Sequence, residues 1–256
     1  MADGSDAWEN AGMTPEEDAA LDREIAQDEL DAELTQAADD GDLPSLRAAL
    51  AAGARVEARN GNGWHSLALA AEGGHAECLT ALIQAGAPLD AVLHGYGWKA
   101  NPKGWGWRAA AFAARCGSLE CLRLLADAGA AMDVRQDEGK TPLMMAIEGK
   151  HFDCAAWLIK AGVDLDLRDR EGRTAIRCCV YCSDPKTLAS LIAHGADFSL
   201  PDHDGRTPED LIGQGVDPGS RKAQCRDLLA AAREARELGG HVGAAPGSPS
   251  RPSKGL

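Results

Sequence analysis

Glycines that recur every 33 residues are the feature of this sequence that most restricts its fold. One series at this spacing comprises Gly106, Gly139, Gly172 and Gly205, and a second comprises Gly129, Gly162 and Gly195. The spacing lengthens once, to 43 residues between Gly86 and Gly129, which indicates a ten-residue insertion between Asp90 and Trp105. A fixed period of this length is typical of a chain built from stacked copies of one structural unit.

Each copy has the pattern of two short helices separated by turns. A turn glycine precedes a Thr-Pro pair, as at Gly139, Thr141 and Pro142, where the threonine suits a helix N-cap and the proline suits the first helical position. A first helix rich in small residues is followed by a second helix with a leucine stripe, as at residues 121–125. The second helix ends at a glycine, which accepts the left-handed cap conformation. The pattern predicts an all-α chain.

The clearest copy, residues 139–146, reads Gly-Lys-Thr-Pro-Leu-Met-Met-Ala. It resembles the ankyrin repeat, whose period is about 33 residues and whose signature is Thr-Pro-Leu-His-x-Ala. Other copies depart from this signature, as with Ala175 in place of proline, but the register continues over about residues 33–235. The resemblance implies an ankyrin-repeat solenoid of helix-turn-helix units with projecting turns. We count about six units, of which the first and last are caps.

Three parts are expected along the chain: an acidic N-terminal segment at 1–32, an ankyrin-repeat domain at 33–238 with an insertion at about 91–104, and a disordered tail at 239–256. The N-terminal segment is predicted to contain an extra helix that starts at Thr14 with a capping box. Four residues of this helix are predicted to form an apolar stripe against the first repeat, namely Leu21, Ile25, Leu30 and Leu34.

The net charge of −14 is concentrated at the N-terminus, because residues 1–40 hold fourteen acidic residues and a single basic one, Arg23. The remainder is nearly neutral and lacks the basic surface that nucleic-acid binding needs. No apolar run approaches the roughly 18 residues of a membrane span, and the acidic start is unlike a secretory signal. We therefore expect a cytoplasmic protein that is monomeric on its own and binds neither nucleic acid nor membrane.

The resemblance implies binding of another protein on a concave face, because that is what ankyrin repeats mostly do. The family's variable contact positions flank the turn glycine and follow the two small residues of the first helix. Together with two aromatic residues of the insertion, these positions give the predicted partner-binding set: Trp64, Glu72, Tyr96, Trp98, Trp105, Trp107, Arg115, Lys140, Arg170, Arg173, Tyr181 and Arg206. Large aromatic residues are enriched at binding hot spots. The tryptophans therefore form either a contact surface or a local packing cluster.

The repeat also explains most patterns that resemble catalytic or metal sites. Cys179 and Cys182 form a Cys-x-x-Cys pair, but the second pair that a zinc site of this type needs is absent from the sequence. Three other cysteines fill the same small apolar position of the second helix and are predicted to form a buried ladder, namely Cys78, Cys121 and Cys154. No hydrolase, metalloprotease or dinucleotide-binding motif occurs. We expect no enzyme activity, no metal and no cofactor.

The function predicted first is therefore a non-enzymatic scaffold, adaptor or inhibitor that holds a protein partner on its concave face. One alternative is a regulatory or immunity-type antitoxin protein whose acidic N-terminal segment blocks a basic partner. Another alternative is a thiol redox or metal-responsive adaptor that uses Cys179 and Cys182.

Overall fold

The computed structural model describes residues 14–92, 106–136, 138–212, 217 and 219–239. Within these ranges the chain forms eleven α-helices, in agreement with the predicted all-α class, and Arg59 and His65 form an isolated antiparallel bridge. None of these helices combines the length and the apolar content needed to cross a membrane. The chain divides into two compact units, Met1–Val163 and Asp164–Leu256.

The first unit consists of helix pairs. Its helices are α1 (Pro15–Asp40), α2 (Leu43–Ala52), α3 (Ser66–Gly73), α4 (Ala76–Gln84), α5 (Ala109–Cys116), α6 (Leu119–Asp127), α7 (Pro142–Glu148) and α8 (Phe152–Ala161). The first helices of successive pairs (α1, α3, α5 and α7) pack side by side, and so do the second helices (α2, α4, α6 and α8). This double row is the arrangement of stacked helix-turn-helix repeats.

The second unit contains α9 (Ala175–Cys182), α10 (Pro185–Ala193) and α11 (Arg221–Gly239), with α10 packed between the other two. Thr207 and Pro208 repeat the Thr-Pro pair that begins α7 at Thr141 and Pro142, but residues 208–212 form turns. The Oδ2 atom of Asp210 accepts hydrogen bonds from the backbone N–H of Thr207 at 2.8 Å and from its hydroxyl at 2.7 Å. These bonds close a local turn without a following helix.

The core combines small residues in the first helices with leucines in the second helices. The alanines of α5 are at most 3% exposed, which allows the first helices to approach closely, and Leu122 and Leu125 of α6 are completely buried. Burying one such leucine side chain contributes about 1.5–3 kcal/mol relative to leaving it exposed. Cys78, Cys121 and Cys154 are at most 1% exposed, so their predicted burial is confirmed.

Helix α1 differs from the expected separate N-terminal helix. The predicted capping box is confirmed, because Thr14 and Glu17 exchange both hydrogen bonds. The helix then continues to Asp40 without a break and so passes through the expected boundary between residues 32 and 33. Its last eight residues occupy the same place in the 33-residue register as α3. The first helix of the first repeat is thus extended by 18 residues at its N-terminus.

The apolar stripe predicted for this helix is wrong in its N-terminal half. Leu34 is fully buried, but Leu21 is 45% and Ile25 is 48% exposed. The reason is the length of the extension, because every described side chain before Gln27 is exposed. Contact with the turn that follows α2 begins at Gln27, which donates a hydrogen bond to the carbonyl of Gly53. The N-terminal turns of α1 therefore extend past the elements against which the stripe was expected to pack.

Two histidine rings hold neighbouring repeats of the first unit together. The ring of His151 lies against Gly117 of the preceding repeat and against Gly149 of its own repeat. The ring of His75 likewise lies against Gly41 of the preceding repeat. A Cβ atom added at Gly117 would be 2.3 Å from Nδ1 of His151, so a side chain at this position does not fit beside the ring.

Candidate functional site

Two of the predicted contact residues, Trp64 and Trp107, lie against the same phenylalanine. Phe112 of α5 is 2% exposed, and its ring centroid is 4.8 Å from the ring of each tryptophan. The ring planes are inclined by 46° and 33°, so these are tilted contacts rather than parallel stacks. We refer to this row of three rings, Trp64, Phe112 and Trp107, as the aromatic ladder.

The turn before α3 fixes the backbone of Trp64. Oδ1 of Asn60 accepts hydrogen bonds from the N–H groups of Asn62 and Trp64, each at 3.0 Å. The backbone N–H of Asn60 in turn donates to the carbonyl of Trp64 at 2.9 Å. A side-chain acceptor of this kind satisfies two backbone donors of a tight turn. The position of the Trp64 ring is therefore set by the turn as well as by contact with Phe112.

Both tryptophans of the ladder are half-buried. Contact with Phe112 accounts for part of this burial, and each residue keeps a minor part of its surface exposed. The rings of Trp64 and Trp107 therefore pack locally against Phe112. Three aromatic residues of the predicted set, Tyr96, Trp98 and Trp105, lie outside the described residues.

Arg115 and Glu72 complete this part of the site. The guanidinium carbon of Arg115 is 4.9 Å from the ring centroid of Trp107 and 5.2 Å from that of Phe112. A cation–π contact at an exposed site contributes about 0.5–1 kcal/mol. Arg115 also forms an ion pair with Glu72, across 43 residues of chain. Burial raises the pKa of Glu72, and the nearby guanidinium opposes this shift.

Lys140 lies in the next repeat beside two carboxylates. Its Nζ is 2.8 Å from Glu148 and 3.1 Å from Glu138. Burial disfavours the charged amine, but hydrogen bonds to Glu148 and Glu138 outweigh burial and raise the pKa of Lys140. Lys140 also lines a shallow depression of about 190 Å³ together with Trp107 and Arg115. The structure therefore brings three predicted residues of the first unit, besides Trp64, into contact with one another or with Phe112, namely Glu72, Trp107 and Arg115, and it places Lys140 at the same depression.

The predicted residues of the second unit have a different environment. Arg173 is bound by Asp169 at 2.6 Å and by Glu171 at 2.8 Å. Arg206 is likewise paired with carboxylates of its own turn, those of Asp202 and Asp204. These arginines therefore stabilise the turns that carry them. Two other members of the set project into solvent: Arg170, which is exposed, and Tyr181, which is 83% exposed.

Phe112 is a member of the ladder that sequence reasoning did not identify. It lies in a row of alanines at residues 109–114, where it matches no motif and occupies a core position of the first helix. The available signal was its size, because one aromatic ring among alanines must contact an element outside its own helix. The sequence does not specify which element this is, since Trp64 is 48 residues away.

Two cysteines of the second unit, Cys179 and Cys225, are buried in surroundings that favour the protonated thiol. Cys179 is completely buried, and this burial raises its pKa well above the ordinary value. Burial also raises the pKa of Cys225 to about 11. A thiol must ionise to attack a disulfide or bind a metal, so burial disfavours both reactions at Cys179. Within the ranges that the structure describes, no three His, Cys, Asp or Glu side chains are grouped so that they could hold a metal ion.

Comparison with known proteins agrees with the repeat geometry. A family model described as Ankyrin repeats (3 copies) matches residues 34–136 and again residues 110–202. Together the two matches cover 34–202, from the end of α1 to the turn that follows α10. Among curated proteins, none matches the sequence. The chain therefore belongs to the ankyrin-repeat family, whose repeats are generic protein–protein interaction modules.

Proposed function

We propose that the chain is a non-enzymatic scaffold, adaptor or inhibitor that binds a protein partner, with the aromatic ladder at the centre of its contact surface. One observation carries this proposal: Trp64 and Trp107 are held against Phe112 while each residue keeps part of its surface exposed. Tryptophan is among the residues most enriched at binding hot spots, which lie near the middle of an interface. A ring that is already held in place loses little conformational entropy when a partner covers it.

The charged residues beside the ladder are also held before any partner arrives. Arg115 is paired with Glu72, and Lys140 with Glu148. Their side chains have therefore already lost much of the rotamer freedom that binding would otherwise remove, at about 0.5–1.5 kcal/mol for each immobilised side chain. This pre-organisation favours recognition of a folded partner surface by a rigid site.

The first experiment is a pull-down from native lysate with the intact protein and with a Trp64→Ala/Trp107→Ala variant, followed by titration of any partner that the variant loses. Loss of a hot-spot side chain costs 2 kcal/mol or more, so we expect affinity to fall by about 30-fold or more. A Glu120→Ala/Arg123→Ala variant is the matched control, because both side chains are exposed on α6. It should bind like the intact protein.

A second pair of variants separates partner contact from local packing. Trp64→Phe/Trp107→Phe keeps a ring against Phe112, whereas the alanine variant removes it, so circular dichroism melting should show a larger loss of stability for alanine. Titrations are then made at a temperature at which all variants are folded. If the alanine variant binds the partner with undiminished affinity, the ladder serves packing alone and the proposal is wrong.

A further inference from the structure

We propose that the N-terminal half of α1 is a second docking surface, which takes a basic amphipathic helix of another protein. This surface is formed by α1 and the turn at residues 55–61, and it includes none of the three rings of the aromatic ladder. The inference rests on an exposed apolar stripe, a groove continuous with it, and the charge around both.

The stripe lies on one face of α1. Leu21, Ile25, Asp28 and Ala32 follow one another at intervals of four, three and four residues, which places them in a row along the helix. Leu21 and Ile25 are among the few large apolar side chains of the described residues that are exposed. Every described side chain from residue 14 to residue 26 is exposed as well. An isolated helix of this length is marginal in water, so its capping box and its continuity with the packed half maintain it.

A groove continues the stripe toward the C-terminal half of α1. Asp28 and Ala32 form part of one wall, and Val56 and Ala58 lie on the opposite side, around a space of about 810 Å³. Arg55 holds the two walls together, because its guanidinium is 2.9 Å from Asp28. The groove therefore exists before a partner binds. From Leu21 to Ala32 the row is about 17 Å long, since a helix rises about 1.5 Å per residue, and this matches three turns of a docked helix.

The charge around the stripe selects a basic occupant. Five acidic residues and one arginine lie between residues 15 and 27: Glu16, Glu17, Asp18, Asp22, Glu24 and Arg23. A second copy of α1 on this face would bring like charges together without solvent between them, which is unfavourable. A helix with lysines or arginines beside an apolar stripe would instead form complementary pairs while its apolar residues cover Leu21 and Ile25.

The probe is a fluorescein-labelled peptide of about 18 residues, five helical turns, with leucines at helical spacing on one face and lysines elsewhere. One comparison peptide has the same composition with leucines distributed around the helix, and another has glutamate in place of lysine. Titrated with the full chain, the amphipathic basic peptide should bind at least tenfold more tightly than either comparison and become helical by circular dichroism. Equal binding of both basic peptides would show charge attraction alone and overturn the proposal.

Variants of the chain locate the binding. Leu21→Ser/Ile25→Ser should lower the affinity of the amphipathic peptide at least tenfold, because it removes the exposed apolar pair. Leu238→Ser is the control, since Leu238 is 74% exposed on α11 in the second unit. Neutralising Glu17, Asp22 and Glu24 with Gln, Asn and Gln should weaken the dependence of affinity on salt. Undiminished binding by the Leu21/Ile25 variant would overturn the proposal.

Two other occupants are tested with the same proteins. Sedimentation equilibrium of the full chain should show no dimer that Leu21→Ser/Ile25→Ser abolishes, because such a dimer would assign the stripe to a second copy. Removal of residues 1–13 should leave the affinity for the peptide unchanged. If this affinity rose more than tenfold, residues 1–13 would be the occupant of the stripe instead. These variants all retain Trp64 and Trp107, so failure here leaves the proposal for the aromatic ladder standing.

Discussion

At the residue scale, the turn inside each repeat takes the left-handed conformation whatever residue occupies it. Gly74 and Gly117 have φ angles of 74° and 76°, and at equivalent places Lys150 and Ser183 have φ angles of 62° and 53°. A side chain in this conformation costs about 1–2 kcal/mol. The cost is offset by the backbone bonds of the turn, such as that from His151 N–H to the carbonyl of Ala146 at 2.8 Å.

Gly117→Ala should therefore destabilise the protein more than Gly129→Ala. Both glycines have positive φ angles, 76° and 96°, and carry the same conformational cost. A Cβ at Gly117 would also collide with the ring of His151, whereas no atom lies within 4 Å of a Cβ at Gly129. Urea unfolding should give a loss of about 1–2 kcal/mol for Gly129→Ala and a clearly larger loss for Gly117→Ala. Equal losses would contradict the role assigned to the ring.

The first helix of the second repeat begins at a histidine, whereas α7 and α9 begin at threonines, Thr141 and Thr174. Thr141 caps α7, because its Oγ1 accepts from the N–H of Met144 at 3.3 Å. His65 makes no such bond to α3; its Nδ1 is 3.0 Å from the carbonyl of Glu57, and its Nε2 is buried without a hydrogen-bond partner. Burial lowers the pKa of His65.

This environment predicts that acid destabilises the fold through His65. The folded pKa lies below the unfolded value of about 6.5, so the unfolded chain takes up the proton first as the pH falls. The stability contributed by the neutral ring is complete above about pH 6.5 and is lost as the pH falls from there through the folded pKa. Urea unfolding between pH 8 and pH 5 should show a smaller loss of stability for His65→Thr than for the intact protein. Equal losses would mean that other groups cause the acid sensitivity.

At the element scale, local chemistry predicted some helix starts but not all of them, since Thr207 and Pro208 begin no helix within the described residues. Thr141 and Pro142 begin α7 as expected, and the predicted capping box at Thr14 is present. Features that depend on distant contacts were not predicted. The exposure of Leu21 and Ile25 depends on where the neighbouring elements end, and the contact of Trp64 with Phe112 depends on how two repeats meet.

Removal of two helix caps should have different effects on global stability, because one helix end is exposed and the other helix is packed in the core. Thr14→Ala removes the cap of an exposed helix end, so hydrogen exchange should become faster over the first turns of α1 while global stability changes little. Asp42→Ala removes the cap of α2, where Asp42 accepts from the N–H of Ser45 at 3.2 Å. Because α2 buries Leu46, this change should lower the free energy of unfolding by about 1 kcal/mol. A large global loss for Thr14→Ala would show that the end of α1 packs against another part of the protein.

At the scale of the whole molecule, the first unit has enough repeats to be expected to fold without the second. It contains four helix pairs, and a repeat array needs about three units for stability. A fragment comprising residues 1–163 should therefore unfold in one cooperative thermal transition, followed by circular dichroism at 222 nm. In this fragment, Leu122→Ala should cost about 2–5 kcal/mol, because Leu122 is completely buried. A gradual transition without a midpoint would contradict the assignment of an independent core.

The histidine–glycine contacts between repeats also determine where such a protein can be lengthened. Each histidine belongs to one repeat, and the glycine that receives it belongs to the preceding repeat, as with His151 and Gly117. A duplicated repeat therefore fits before such a histidine only if its own turn has glycine at the position that contacts the ring, because a Cβ atom there would clash with it. Designers who add consensus repeats to this chain should transfer both partners of the contact together and treat the pair, rather than the single repeat, as the exchangeable module.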